Sequence, residues 1–264
     1  MKITALIENN SRNINIASEH GLSLFIELDN KNILFDMGQS NLFYTNAKTL
    51  GLNISSVDVS ILSHGHYDHG GGLESFLELN KNALVYIHKD AFLDYYNGSE
   101  KYIGLDKNIR NNKRIVFIDK SVSLFDNIII DSLNNKQLQY KSNSDNLNVK
   151  TDNNFIIDSF NHELYLIINY HNKKILFSGC AHKGILNILD YFKPDIFIGG
   201  MHLNKVNIND IEEVKVLDTL SEMIENNNIK VYACHCTGKE QFNYLKNKTD
   251  KIEYLYSGEE IEIL

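Results

Sequence analysis

Among 264 residues there is one proline and there are three cysteines, and no stretch is rich in lysine and arginine. The cysteines, Cys180, Cys234 and Cys236, are too few and odd in number for a disulfide framework. The formal charge is −8. An acidic chain without a basic patch repels a phosphate backbone, which argues against nucleic acid as a partner. No apolar run reaches the roughly 18 residues that span a bilayer, so no membrane association is expected. The N-terminus, MKITALIENNSRN, turns polar after Ile7 and lacks the apolar stretch of a secretory signal. A cytoplasmic protein is expected. Hydrophobic residues at 43% and charged residues at 23% suit a globular chain with a sizeable core.

Strands are expected at 2–8 and 22–28, where Leu22, Leu24, Ile26 and Leu28 alternate so that one face is buried. A third strand, Asn32–Phe35, runs into Asp36-Met37-Gly38, after which Ser40 can cap a helix that Gly51 ends. The strand 57–63 is followed at once by a glycine- and histidine-rich stretch, then by a helix at 73–79 and a strand at 83–88. Residues 89–150 read as an irregular insert, rich in Asn, Lys and Tyr, with one strand at 114–118. Strands at 164–169 and 174–178 lead into Gly179-Cys180-Ala181-His182, and a helix from Gly184 stops before Pro194. A strand at 195–199, a helix at 210–225, a strand at 229–233, a short helix at 239–246 and terminal strands complete the chain. The alternation gives an α/β architecture in a single domain, 1–264. NKNILFDMG (30–38) resembles NKKILFSGC (172–180), a weak internal repeat that suggests two related β-rich halves.

The strongest chemical signal is Ser63-His64-Gly65-His66-Tyr67-Asp68-His69-Gly70-Gly71-Gly72. Neutral imidazoles and carboxylates are ligands for zinc and similar ions. His64 and His66, two apart on extended backbone, project the same way and can share one ion. Asp68 and His69, in the turn beyond, can serve a second. The stretch follows a buried-looking strand, and sites in α/β proteins are built at strand C-termini.

H-x-H-x-D-H after an apolar strand resembles the signature of the metallo-β-lactamase superfamily, whose fold is a four-layer αβ/βα sandwich with metals at one edge of its sheets. The resemblance implies that His162, preceding a strand pair that ends at Cys180, joins His64 and His66 on the first ion. It implies Cys180 on the second ion, where many relatives carry a bridging aspartate. It places His235 with Asp68 and His69, and Asp36 as a structural support behind the site. SGCAHKGI (178–185), GGMHL (199–203) and CHCTGKE (234–240) are similar to the branch of dihydropterin ribofuranosylaminobenzene phosphate synthases.

Other readings stay open. His182, two residues past Cys180, rivals His162 as ligand or stands behind the metal as a proton donor. His202 at a strand end suits substrate binding or general acid work, against a plain turn histidine. Cys234 and Cys236 read as small packing residues, because a lone C-x-C cannot hold an ion. His20, His88 and His171 have no partner motif. Tyr95, Tyr96 and Tyr102 line a pocket or anchor the insert.

The expected cofactors are two divalent ions, zinc with manganese or iron as alternatives, and the expected substrate is a small, ester-containing or phosphorylated molecule. Paired dications acidify a bridging water, which Asp68 would orient while ligating, and hydrolysis follows. The synthase-like branch implies group transfer instead, with a phosphorylated ribosyl donor and an aminobenzoate-type acceptor. Flavodiiron proteins share the fold but carry Glu where this chain has His66. A metal-stabilised binding protein without turnover is the non-enzymatic alternative.

Overall fold

In a computed structural model, the chain is described throughout except at Asn135 and Asn153. It forms two compact units: Met1–Ser121 with Asn146–Leu164 and Tyr256–Leu264, and Val122–Asp145 with Tyr165–Leu255.

In chain order, the first unit opens with Lys2–Ile7 (β1), Ser23–Leu28 (β2) and Lys31–Phe35 (β3). Helix Leu42–Thr49 (α1), strand Val59–Ile61 (β4), helices Tyr67–Gly70 (α2) and Leu73–Leu79 (α3), and strand Leu84–His88 (β5) follow. Then come Asp94–Asn97 (β6), Lys101–Tyr102 (β7) and Ile115–Ile118 (β8). The second unit begins with Val122–Phe125 (β9) and Ile128–Asp131 (β10). Leu147–Thr151 (β11) and Asn154–Ile157 (β12) return to the first unit. The second unit resumes with Tyr165–Tyr170 (β13), Lys173–Ser178 (β14), Ile185–Phe192 (α4), Ile196–Gly200 (β15) and Lys215–Asn226 (α5). Lys230–Cys234 (β16), Lys239–Lys246 (α6) and Ile252–Tyr254 (β17) complete it, and Glu260–Glu262 (β18) closes the chain in the first unit.

Each unit holds one seven-stranded sheet, in the orders β18-β1-β2-β3-β4-β5-β8 and β9-β10-β13-β14-β15-β16-β17. Both are antiparallel as far as their fourth strand, β3 or β14. From there on both are parallel. The two copies of the NK-x-ILF repeat occupy β3 and β14, the same place in each sheet. Parallel strands need crossovers, here the helices, and crossovers cover sheet faces. That explains β2, where Phe25 is buried as well as Leu24 and Ile26. The expected single buried face is therefore corrected to two.

The stretch 89–150 is likewise more regular than expected. Strand β8 extends the first sheet, β9 and β10 begin the second, and β6, β7, β11 and β12 form a separate four-stranded sheet. Tyr95, Leu147 and Val149 pack with Ile103 and Phe160 beneath it, so Tyr95 is an anchor. Helix α5 starts at Lys215, later than expected, because Asp210 accepts the N–H groups of Glu212 and Glu213 in a tight local turn.

Candidate metal centre

Three parallel strands of the first unit, β3, β4 and β5, end side by side, and the histidine stretch grows from the middle one. At the end of β3, Asp36 is fully buried with φ +61, a left-handed conformation that non-glycine residues adopt at a cost. Its carboxylate accepts hydrogen bonds from Ser63 N (2.7 Å), Ser63 Oγ (2.7 Å) and His69 Nδ1 (2.7 Å). Because Ser63 Oγ donates to Asp36, it accepts from His64 Nδ1 at 2.8 Å. Both His64 and His69 are thus fixed with the proton on Nδ1 and the lone pair on Nε2, the arrangement a metal-binding imidazole needs. Their ring centroids are 4.2 Å apart, and His66 lies 4.5 Å from His64. Burial, aided by His162, pushes the His66 imidazole down to about 3, so at physiological pH it is neutral, the form a metal ion binds.

Gly65 has to be glycine: a Cβ there would stand 2.1 Å from the carbonyl oxygen of Ala91. Its N–H donates to His162 Nδ1 (2.8 Å), which leaves the His162 proton on Nε2, donated to Asp158 at 2.9 Å. Both nitrogens of His162 are therefore occupied. His162, expected as third ligand to the first ion, here has both ring nitrogens engaged within the protein. It is a support, stacked on Tyr95 at 4.0 Å, and it tethers the backbone of the histidine loop. Burial works to raise the Asp158 carboxyl, but the bond to His162 together with the His162 charge and the Phe160 N–H outweighs it and holds it below its ordinary value.

Asp68 is nearly buried, 3.8 Å from His69 Nε2 and 3.2 Å from His20 Nε2. His20 carried no motif in the sequence. Its one signal is the following residue, Gly21, where a Cβ would meet the Asp68 carbonyl at 2.4 Å. His88, also without a motif, ends β5 and accepts from the N–H of Asp90 (3.2 Å).

In the second unit β14, β15 and β16 are again parallel neighbours, and their ends carry Cys180 and His182, His202, and His235 with Cys236. Ala181, His202 and His235 all have positive φ, near 50–58°. Ser144 Oγ donates to the His182 carbonyl (3.1 Å) and so accepts from His182 Nδ1 (3.0 Å), leaving the lone pair on Nε2. The rings of His182 and His202 stand 4.4 Å apart. Among the described residues, neither ring nitrogen of His202 has a hydrogen-bond partner, although both are buried. The donor atoms of Cys180, His182 and His202 lie within 4.8 Å of one another, as do those of Cys180, His235 and Cys236. Burial pushes the Cys236 thiol up, but Cys180, His202 and His235 outweigh it and hold it well below its ordinary range. Neutral imidazoles, a carboxylate and thiols with tied orientations fit a borderline divalent ion.

The Metallo-beta-lactamase superfamily model matches residues 19–220. The chain belongs to the metallo-β-lactamase superfamily. Within the superfamily it is 32% identical over 230 residues to the uncharacterised protein MJ0448 of Methanocaldococcus jannaschii, covering 84% of this chain and 85% of the relative. It is 26% identical to the 7,8-dihydropterin-6-methyl-4-(β-D-ribofuranosyl)-aminobenzene-5′-phosphate synthase of the same organism, covering 93% of this chain and 90% of that one. Among solved structures of the superfamily it is similar to Tm1679, described as a metal-dependent hydrolase. The TM-score there is 0.80 at 29% identity, with 100% of this chain and 99% of that one covered. The α/β fold is that of superfamily hydrolases, and no helix among the described residues is long and apolar enough to cross a membrane.

Proposed function

We propose that the protein is a dinuclear-metal hydrolase of a small ester-containing or phosphorylated substrate. The observation that carries this reading is the locking of His64 and His69 through Ser63 and Asp36, which orients buried Nε2 lone pairs at a strand end. Metal-ligating imidazoles are characteristically oriented in this way, through a hydrogen bond donated by the nitrogen that does not bind the ion. His64 and His66, and Asp68 with His69, would hold ions in the first unit, and Cys180, His182 and His235 offer metal-ligating atoms in the second. Bound dications supply an acidified water and stabilise charge on the attacked group. Of this chain's own residues, Asp68 would orient the water and His202 is the candidate proton donor.

The test is metal analysis of the purified protein, followed by turnover of 4-nitrophenyl esters and bis(4-nitrophenyl) phosphate. Two ions per chain and measurable turnover are expected, with Asp68→Asn lowering kcat by about 10²–10⁴-fold. Absence of stoichiometric metal, or metal without turnover on either class, defeats the reading.

A group-transfer reading is favoured by the similarity to the synthase, which runs through nearly the whole chain. It predicts release of pyrophosphate or phosphate only when an aminobenzoate-type acceptor is added with a phosphorylated ribosyl donor.

A further inference from the structure

We propose that Cys236 is itself a metal ligand, joining Cys180 and His235 in a thiolate–imidazole site inside the second unit, which selects zinc over manganese or magnesium. The C-x-C motif alone is too small for an ion, and its burial alone is explained by a packed turn. The fold adds what the motif lacks. Cys180 comes from the end of β14 and Cys236 from the turn after β16, 56 residues on, yet the two sulfurs and a His235 nitrogen fall within 4.8 Å of one another. All three residues are buried.

The strand lying between them makes the room. At Gly200, the last residue of β15, a Cβ would stand 2.5 Å from Cys236 Sγ and 3.5 Å from Cys180 Cα. A side chain there would press on Cys236 Sγ and, equally, on the Gly179 carbonyl oxygen at 2.5 Å. The sulfur is also aimed: the His202 N–H donates to Cys236 Sγ at 3.2 Å, the kind of backbone support that orients a ligating thiolate. Cys234, one residue before His235, belongs to β16 and lies outside this cluster of donors. Two thiolates and an imidazole are a soft donor set. Such a set favours zinc and cobalt over manganese and magnesium, which prefer oxygen. On binding, each S–H bond is replaced by a sulfur–metal bond and its proton passes to solvent.

The full-length protein loaded with Co²⁺ reports on this directly through its sulfur-to-cobalt charge-transfer absorption in the near ultraviolet. The expected result is loss of about half that absorption in Cys236→Ser, a similar loss in Cys180→Ser, and none in Cys234→Ser. Should Cys236→Ser fail to fold, the wild type still decides: iodoacetamide labelling, mapped by mass spectrometry, is compared between zinc-loaded and chelator-stripped protein. Zinc is expected to slow labelling of Cys236. Full cobalt–sulfur absorption in Cys236→Ser, or a Cys236 labelling rate unchanged by zinc, overturns the assignment. Either result, with metal still bound and turnover intact, leaves the hydrolase reading standing.

Discussion

Asp36 shows how one side chain organises a site it does not enter. Its carboxylate accepts from the backbone and hydroxyl of Ser63 and from His69, and through Ser63 it reaches His64. Asp36→Asn keeps the shape and the left-handed backbone, which asparagine tolerates. It must, however, turn an N–H toward one of three donors. The expected outcome is a 10–100-fold weaker hold on zinc, measured by competition with a chromophoric chelator. Unchanged affinity would show that His64 and His69 are oriented by something else. His66 makes a second prediction. Its imidazole resists protonation down to about 3 in the folded chain, whereas an unfolded histidine takes a proton near 6.5. Between those values the unfolded state binds more protons. Stability of the metal-free protein is therefore complete at neutral pH and falls as pH drops below about 6.5, by up to about 1.4 kcal/mol per pH unit from this residue. Urea midpoints between pH 7 and 5 test this, and His66→Gln should flatten the slope. At this scale the sequence was legible where chemistry and spacing coincide, as in residues 64–69. At His162 a family resemblance names an expected role but not which partners engage the ring. Asp158 and the Gly65 N–H, which settle that question, are polar groups of no distinctive pattern. His20 was illegible for a similar reason: its partner Asp68 is distant in the chain.

Among the elements, long strands with unbroken apolar runs were legible, and β2, β3, β13 and β14 fall within a residue or two of where their patterns put them. The stretch 89–150 was not. Its strands are two to five residues long and largely half-exposed, and although β6–β7 and β9–β10 are local hairpins, β6, β8, β10 and β11 also pair with segments far along the chain, so no window of sequence contains a full period of burial. The four-stranded sheet shows the consequence. On β11, Leu147 and Val149 face the small core with Tyr95, while every residue of the partner strand β12 is exposed. Leu147→Ala is therefore expected to cost about 2–5 kcal/mol in urea unfolding. Ile157→Lys, at a position 77% exposed, is expected to change stability by less than about 0.5 kcal/mol. If the two variants lose similar amounts, β12 is covered in solution and the asymmetry between the strands is wrong.

For the whole molecule, the repeat of NK-x-ILF proves to mark the fourth strand of two sheets with the same order and the same switch from antiparallel to parallel. In each, three adjacent parallel strands end together, and nearly all the metal-type side chains emerge there. Such side chains are buried with their polar atoms directed at one another, which is costly unless something compensates. A bound ion does so, and it stabilises only the folded chain. At a free zinc concentration 100 times the dissociation constant, each site adds about 2.7 kcal/mol. For a protein of this size that raises Tm by roughly 5–10 °C. Thermal unfolding in excess chelator and in rising zinc should show this graded increase, and manganese at equal concentration should produce less of it. A Tm that is the same in chelator and in zinc would mean that the folded chain holds no ion, and that its clustered imidazoles and thiols are stabilised by packing alone.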